Sequence, residues 1–94
     1  MYANKMACYI VTFEVKNPVK LASLNEALKT YGTYCPIHEN AWAIITANTA
    51  AQIRDHLTPL IDPTDRLFIV RSGAEAAWSN AYGEQHSDWL KKNL

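Results

Sequence analysis

The sequence has no hydrophobic run long enough to cross a membrane. A transmembrane helix needs about 20 consecutive apolar residues, and no stretch of this chain approaches that length. Residues 1–5 contain no hydrophobic segment either, so no secretory signal is predicted, and Met6 offers an alternative start that would make these residues a leader. We therefore expect a cytoplasmic protein that has no membrane partner.

The chain also has no excess of charge of either sign. Nine Lys and Arg residues balance nine Asp and Glu residues, which gives a formal net charge of zero. Proteins dedicated to nucleic-acid binding usually carry a basic excess, because contacts with phosphates supply most of their affinity. The charge balance therefore favours a protein partner over a nucleic acid.

Cysteine is scarce, since only Cys8 and Cys35 are present. Two cysteines in separate predicted strands do not make a disulfide framework, and the interpretation is two free thiols in a reducing compartment. The spacing of Cys35 and His38 is that of metal ligands, but a zinc site needs four ligands. The remaining candidates, Cys8, His56 and His86, lie in separate elements, so no metal site is predicted here.

Three short segments, residues 8–13, 42–45 and 67–70, are apolar at both odd and even positions. A strand of this kind is typically buried on both faces of a sheet. Only two amphipathic helices precede Ser72, which is enough to cover one face of a small sheet. The second face must be covered either by the Trp-rich tail after Gly73 or by a second copy of the protein.

The order of predicted elements is strand, helix, strand, strand, helix, strand. The helices are bounded by local signals, namely an Asn17-Pro18 start, a Gly32 stop, a capping box from Thr49 and a stop at Pro59. This order predicts an α+β, ferredoxin-like βαββαβ fold with an antiparallel sheet, in a single domain over residues 1–94. The predicted strands are residues 8–13, 33–38, 41–46 and 66–71. The second of these is expected at an edge of the sheet because Pro36 cannot donate a backbone hydrogen bond. The core spans about 7–72, and the C-terminal extension, 73–94, is predicted to contain a helical turn at 74–78 and a short helix at 87–92.

Five segments together resemble the SinR-like family of small bacterial proteins, which are distant relatives of the VapD ribonucleases and of the small CRISPR adaptation protein. The resemblance covers essentially residues 8–94. It implies a ferredoxin-like homodimer in which two sheets pack against each other. The segments are 9–14 (YIVTFE), 42–46 (WAIIT), 65–70 (DRLFIV), 77–78 (AW) and 88–91 (DWLK).

The resemblance also implies a role for an acid at the end of the first strand. In the nuclease members this acid lies near the dimer axis and helps to bind a divalent metal, and the matching position is Glu14, where the usual residue is Asp. Under this hypothesis two Glu14 carboxylates share Mg²⁺ and activate water against a phosphodiester. The alternative interpretation is a solvated acid beside Lys16, because one carboxylate per chain supplies few ligands.

Binding of nucleic acid without cleavage is a third hypothesis. It requires Lys16, Arg66 and Arg71 to gather on one face, where they could contact phosphates. It also requires sheet-face aromatic side chains that stack on bases, whereas the interpretation we favour for these aromatics is packing in a core or a dimer interface. The aromatic candidates are Tyr9, Phe13 and Phe68.

No catalytic motif is recognisable in the sequence, so we predict a non-catalytic homodimeric binding module with no cofactor. The expected partner is a protein, in a toxin-neutralising or antitoxin-like role, with nucleic acid less favoured. The alternatives are a metal-dependent endoribonuclease that uses Glu14 and Mg²⁺, and a nucleic-acid-binding protein without cleavage. The residues predicted at or beside the dimer interface are Tyr9, Val11, Phe13 and Phe68.

Overall fold

The computed structural model describes residues 6–94, so the predicted leader at residues 1–5 lies outside the described part of the chain. Four strands and three helices make up this part, with a short 3-10 turn at Thr58–Leu60. The strands are β1 (Ala7–Glu14), β2 (Thr33–His38), β3 (Ala41–Thr46) and β4 (Arg66–Arg71), and the helices are α1 (Pro18–Leu28), α2 (Ala50–Leu57) and α3 (Glu84–Asn93).

The strands form one sheet in the order β2-β3-β1-β4, and all neighbouring strands are antiparallel. This confirms the predicted α+β class and antiparallel sheet. The first and third strands lie at the centre, while β2 and β4 form the two edges. Within residues 6–94, no helix has the length and apolar character needed to cross a bilayer.

Helix α1 begins where the sequence predicts but ends early. The Asn17 side-chain oxygen accepts hydrogen bonds from the N–H groups of Val19 and Lys20, at 2.9 and 3.2 Å, and this cap fixes the start. The helix ends at Leu28 rather than near Gly32, so the predicted stop was wrong. A Cβ at Gly32 would lie 3.0 Å from the Ile45 carbonyl oxygen, so the glycine permits a close approach to β3.

The local signals around α2 and β2 are confirmed. Thr49 and Gln52 form a capping box, since the Thr49 hydroxyl accepts from the Gln52 N–H at 3.1 Å and the Gln52 side chain accepts from the Thr49 N–H at 2.8 Å. The α-helix stops at Leu57, ahead of Pro59. Strand β2 is an edge strand and contains a register irregularity between Pro36 and His38.

The larger hydrophobic core lies between the sheet and helices α1 and α2. Alternate side chains of β1 and β3 point into it, because successive side chains of a strand face opposite sides. This layer buries one face of the sheet completely over its central strands. Its buried members are Tyr9, Val11, Phe13, Leu24, Leu28, Tyr31, Trp42, Ile44, Ile53 and Leu57.

The C-terminal extension covers part of the opposite face. Leu90 of α3 packs with Cys8, Cys35 and Ala43, and Trp89 contributes to the same cluster. The extension differs from its prediction in two places: no helical turn forms at 74–78, and α3 begins at Glu84 rather than Ser87. In the first case a tertiary contact prevails over helix propensity, because the Trp78 Nε1–H donates to the Ser87 hydroxyl at 3.2 Å.

We expect Trp42→Ala to lower the free energy of unfolding by about 3–5 kcal/mol, because it removes a buried aromatic side chain and leaves a cavity. Trp42 is 6% exposed, and its ring centroid lies 5.5 Å from that of Tyr34. Trp89→Ala should cost less, since Trp89 is only half-buried. Urea denaturation measures both losses, and an unchanged midpoint for Trp42→Ala would contradict the prediction.

Candidate functional site

The sheet face opposite α1 and α2 is covered over β2, β3 and part of β1 but left open beside β4. We call the uncovered area the β4 strip. In the β1–β4 register, Glu14 stands opposite Arg66 and Thr12 opposite Phe68, and directly paired residues of antiparallel strands share a face. The β4 strip consists of Arg66, Phe68 and Val70 from β4, with Thr12 and Glu14 from β1.

The β4 strip exposes apolar surface that the sequence pattern predicts to be buried. Phe68 is 62% exposed and Val70 is 45% exposed, so within one chain residues 67–70 are not buried on both faces, and the C-terminal tail leaves this part of the second face uncovered. The other face of β4 is half-buried through Leu67 and Ile69, which pack against the main core. An apolar pair on one strand face, bordered by charged side chains, is typical of a protein contact surface.

A shallow depression of about 700 Å³ lies at the Glu14 end of the β4 strip. His38, the last residue of β2, and Asn40, from the turn between β2 and β3, form part of its wall. The Asn40 N–H donates to His38 Nδ1 at 3.2 Å, so this imidazole nitrogen is engaged within its own turn. The depression is open to solvent and presents Phe68 as its large apolar side chain.

Glu14 is paired with a cation in the folded chain. Its Oε1 atom accepts a hydrogen bond from Arg66 Nη1 at 2.5 Å, across the β1–β4 strand pair. Both side chains are more than half exposed, and a surface ion pair of this kind contributes only about 0.2–1 kcal/mol. The pair neutralises the acid that the resemblance associates with a metal.

The other acid that lines the depression, Asp65, is engaged by the backbone. The Asp65 carboxylate accepts from the Asp62 N–H at 2.9 Å and from the Lys16 N–H at 3.4 Å, which closes the turn before β4. Among residues 6–94, no three His, Cys, Asp or Glu side chains lie close enough together to hold a metal ion. Glu14 therefore does not belong to a cluster of three such side chains in this part of the chain.

The structure does not bring the three candidate phosphate-binding residues together. Arg66 and Arg71 stand at opposite ends of β4, about 17 Å apart at the usual rise per strand residue. Lys16 lies beyond the end of β1, at the Arg66 end, where its N–H meets Asp65. The requirement that these cations share one face is not met within a single chain.

Of the four residues predicted at the dimer interface, only Phe68 lies on a free surface. Tyr9, Val11 and Phe13 are 8%, 0% and 6% exposed, and they pack under the helices in the main core. The reason is the alternation of β1: its odd-numbered residues face α1 and α2, whereas its even-numbered residues face the opposite side. The same burial removes Tyr9 and Phe13 from any base-stacking platform.

Val70 is the exposed apolar residue of the β4 strip that the sequence analysis did not single out. It ends the apolar run 67–70, just before Arg71, and its three preceding residues are apolar, so composition alone could not distinguish it from a core residue. The feature that could have indicated its exposure is the sheet topology, because β4 is an edge strand with a neighbouring strand on one side only. A strand at an edge can leave one of its faces uncovered.

The thiols of Cys8 and Cys35 lie between the sheet and helix α3, where they pack with Leu90, and neither forms a disulfide. Burial raises the pKa of both thiols above the ordinary value for cysteine. For Cys8, a hydrogen bond with Ser72 lowers the pKa and partly offsets the effect of burial. For Cys35, the nearby Cys8 raises the pKa further. A nucleophilic cysteine needs the opposite shift, toward thiolate. Cys8 and Cys35 are therefore core residues rather than reactive groups.

Comparison with known proteins adds no relative: no family model matches the chain, and no curated protein sequence is significantly similar to it.

We expect the free energy of unfolding to decrease as the pH rises above about 8.5. Raised folded-state pKa values mean that the folded chain keeps the two thiol protons to higher pH than the unfolded chain does. The contribution of the two thiols to the free energy of unfolding is therefore complete below the ordinary thiol pKa. It is lost as the pH rises from that value through the raised pKa of the folded state. Urea titrations between about pH 8 and pH 10 should show a shallower decrease for Cys8→Ala than for the wild type, and equal slopes would contradict the assignment.

Proposed function

We propose that this protein is a non-catalytic homodimeric binding module, and that the β4 strip is its contact surface. The observation that carries the proposal is the exposure of Phe68 and Val70 side by side on one strand face. The rest of the sheet is covered by helices of the same chain. The β4 strip is thus the part of the sheet that gains most from a partner.

We further propose that the fold is ferredoxin-like and that the chain is a cytoplasmic member of the SinR-like group. The strand order β2-β3-β1-β4, with every pair antiparallel and a helix after β1 and after β3, supports the fold assignment. The five segments that resemble the group support the membership. A toxin-neutralising or antitoxin-like role remains our proposal for the biological partner.

The composition of the β4 strip suits contact with a second copy. A two-fold interface brings the same surface together from both copies, so every buried residue counts twice. Burying a Phe or Val side chain contributes about 1.5–3 kcal/mol. The Glu14–Arg66 pair leaves the Glu14 end of the strip without a net charge, so two copies do not repel each other there.

The ribonuclease and nucleic-acid alternatives have less support. A nuclease that uses Glu14 would have to release the carboxylate from Arg66 before the carboxylate could bind Mg²⁺, and one carboxylate is a small share of the six oxygens that Mg²⁺ requires. A nucleic-acid surface would need the separated Arg66 and Arg71 to follow a backbone across opposite ends of β4. Within one chain, the Glu14 carboxylate is not free of Arg66, and Arg66 and Arg71 are not close together.

We expect Phe68→Ser to weaken the dimer at least tenfold in dissociation constant, because each dimer loses two buried aromatic side chains. Val19→Ser is the matched control: Val19 is 75% exposed and lies on α1, on the other side of the sheet. Sedimentation equilibrium at micromolar concentrations measures both variants and the wild type.

A monomeric wild-type protein in this experiment would refute the homodimer. An equal effect of Phe68→Ser and Val19→Ser would refute the β4 strip as its contact surface. Thermal unfolding of both variants shows whether each remains folded, and we expect it to, because both side chains are mainly exposed.

We expect no metal-dependent cleavage of single-stranded RNA or duplex DNA by the purified protein. Phosphodiester hydrolysis needs a positioned metal or an acid–base pair, and the Glu14 carboxylate is paired with Arg66. The assay compares Mg²⁺, Mn²⁺ and chelator for the wild type and for Glu14→Gln. Cleavage that requires metal and disappears in Glu14→Gln would replace the binding-module proposal with the ribonuclease alternative.

A further inference from the structure

We infer that the second copy adds along the outer edge of β4 as an antiparallel strand, so that the two sheets of the dimer join into one. This inference rests on the proposed homodimer and specifies how it forms. It differs from the face-to-face packing of sheets that the family resemblance implies. The two arrangements use different atoms of β4: edge pairing uses its outward backbone groups and also sets the side chains of the β4 strip beside those of the second copy, whereas face packing uses side chains alone.

The two edges of the sheet differ in how well they are protected. Strand β2 carries Pro36, which has no N–H to donate, and a register irregularity before His38. Both features block the addition of another strand. Strand β4 runs from Arg66 to Arg71 without proline or bulge and pairs on one side only, with β1. Of the two edges, β4 is the one open to strand addition.

The hydrogen bonds of β4 identify which of its backbone groups face outward. The Ser72 N–H donates to the Cys8 carbonyl oxygen at 2.8 Å, and this bond extends the β1–β4 register by one pair. Backbone groups of an antiparallel strand point alternately to its two neighbours, so Val70, Phe68 and Arg66 also bond to β1. The N–H and C=O groups of the intervening residues, Leu67, Ile69 and Arg71, therefore point away from the sheet.

Two constraints select the register between the copies. Outward-facing residues must stand opposite outward-facing residues to form hydrogen-bonded pairs, and opposite residues must share a face of the joined sheet. The register that employs all three outward residues centres on Ile69, which stands opposite Ile69 of the second copy, while Leu67 stands opposite Arg71. It forms about six backbone hydrogen bonds between the copies.

This register also satisfies the side chains of β4. Phe68 stands opposite Val70 of the second copy, twice per dimer, and aromatic–β-branched pairs of this kind stabilise sheets. The arginines of the two copies do not face each other. Arg71, which forms no ion pair within residues 6–94, comes diagonally opposite Asp65 of the second copy, within reach of a long side chain.

The space beside the edge can accept a second strand. A depression of about 180 Å³ lies between the edge of β4 and the start of α2, where the small residues Ala50 and Ala51 leave room. In the joined sheet, Ile69 of the second copy lies on this side. Arg54, which also borders the depression, is already paired with Asp55 at 3.1 Å, so its charge is compensated.

Amide hydrogen exchange of the wild-type protein, followed by NMR at increasing concentration, tests the inference. The N–H groups of Leu67, Ile69 and Arg71 should exchange at least tenfold more slowly once about 90% of the chains are paired, because exchange then proceeds only from the unpaired tenth. The N–H groups of Phe68 and Val70, which bond to β1 in the monomer, serve as internal controls and should change much less.

The outcomes separate this inference from the proposed function. A dimer in which the three outward amides slow selectively supports edge pairing. A dimer in which they exchange as in the monomer overturns edge pairing and leaves the homodimer intact. A protein that stays monomeric by sedimentation overturns both.

A pair of variants at Arg71 gives an independent test. Arg71→Pro removes an outward N–H together with the cation, whereas Arg71→Gln removes the cation alone; neither removes a hydrogen bond to β1. We expect Arg71→Pro to weaken dimerisation by about tenfold more than Arg71→Gln does, because two symmetric hydrogen bonds are lost. Equal dissociation constants for the two variants, both folded by circular dichroism, would overturn the inference.

Discussion

The width of helix α3 relative to the sheet is the constraint on which the rest of this structure depends. A ten-residue helix is about 15 Å long and 10–12 Å across, whereas strands lie about 4.8 Å apart. One such helix covers about two strands. Since α3 and Trp78 pack over β2, β3 and the start of β1, the face beside β4 is left with apolar side chains in solvent.

The chemistry of the molecule follows from this partial cover. Where the cover is present, the Cys8 and Cys35 thiols are buried and kept protonated. Where it is absent, the charged groups are engaged by one another, as in the Glu14–Arg66 pair. A surface with paired charges around exposed apolar side chains is suited to recognition of another polypeptide.

Much of the fold could be predicted from local signals, because each of them involves residues close in sequence. The Asn17 cap, the Thr49 capping box and the Pro59 stop are of this kind, and each was confirmed. The errors occurred where distant residues decide the outcome. Gly32 serves a close approach to Ile45 rather than a helix end, and Trp78 is held by Ser87 of α3 instead of forming a helical turn.

The sequence by itself determined the strands, the presence of helices α1 and α2 and the antiparallel α+β class, since periodicity and capping are properties of short segments. Only the tertiary structure decided which apolar side chains are buried. Val11 and Phe68 are equally apolar in the pattern, yet Val11 is fully buried and Phe68 is 62% exposed. The physical reason is that burial depends on what stands opposite a face: α1 and α2 lie over Val11, whereas no element among residues 6–94 extends over Phe68.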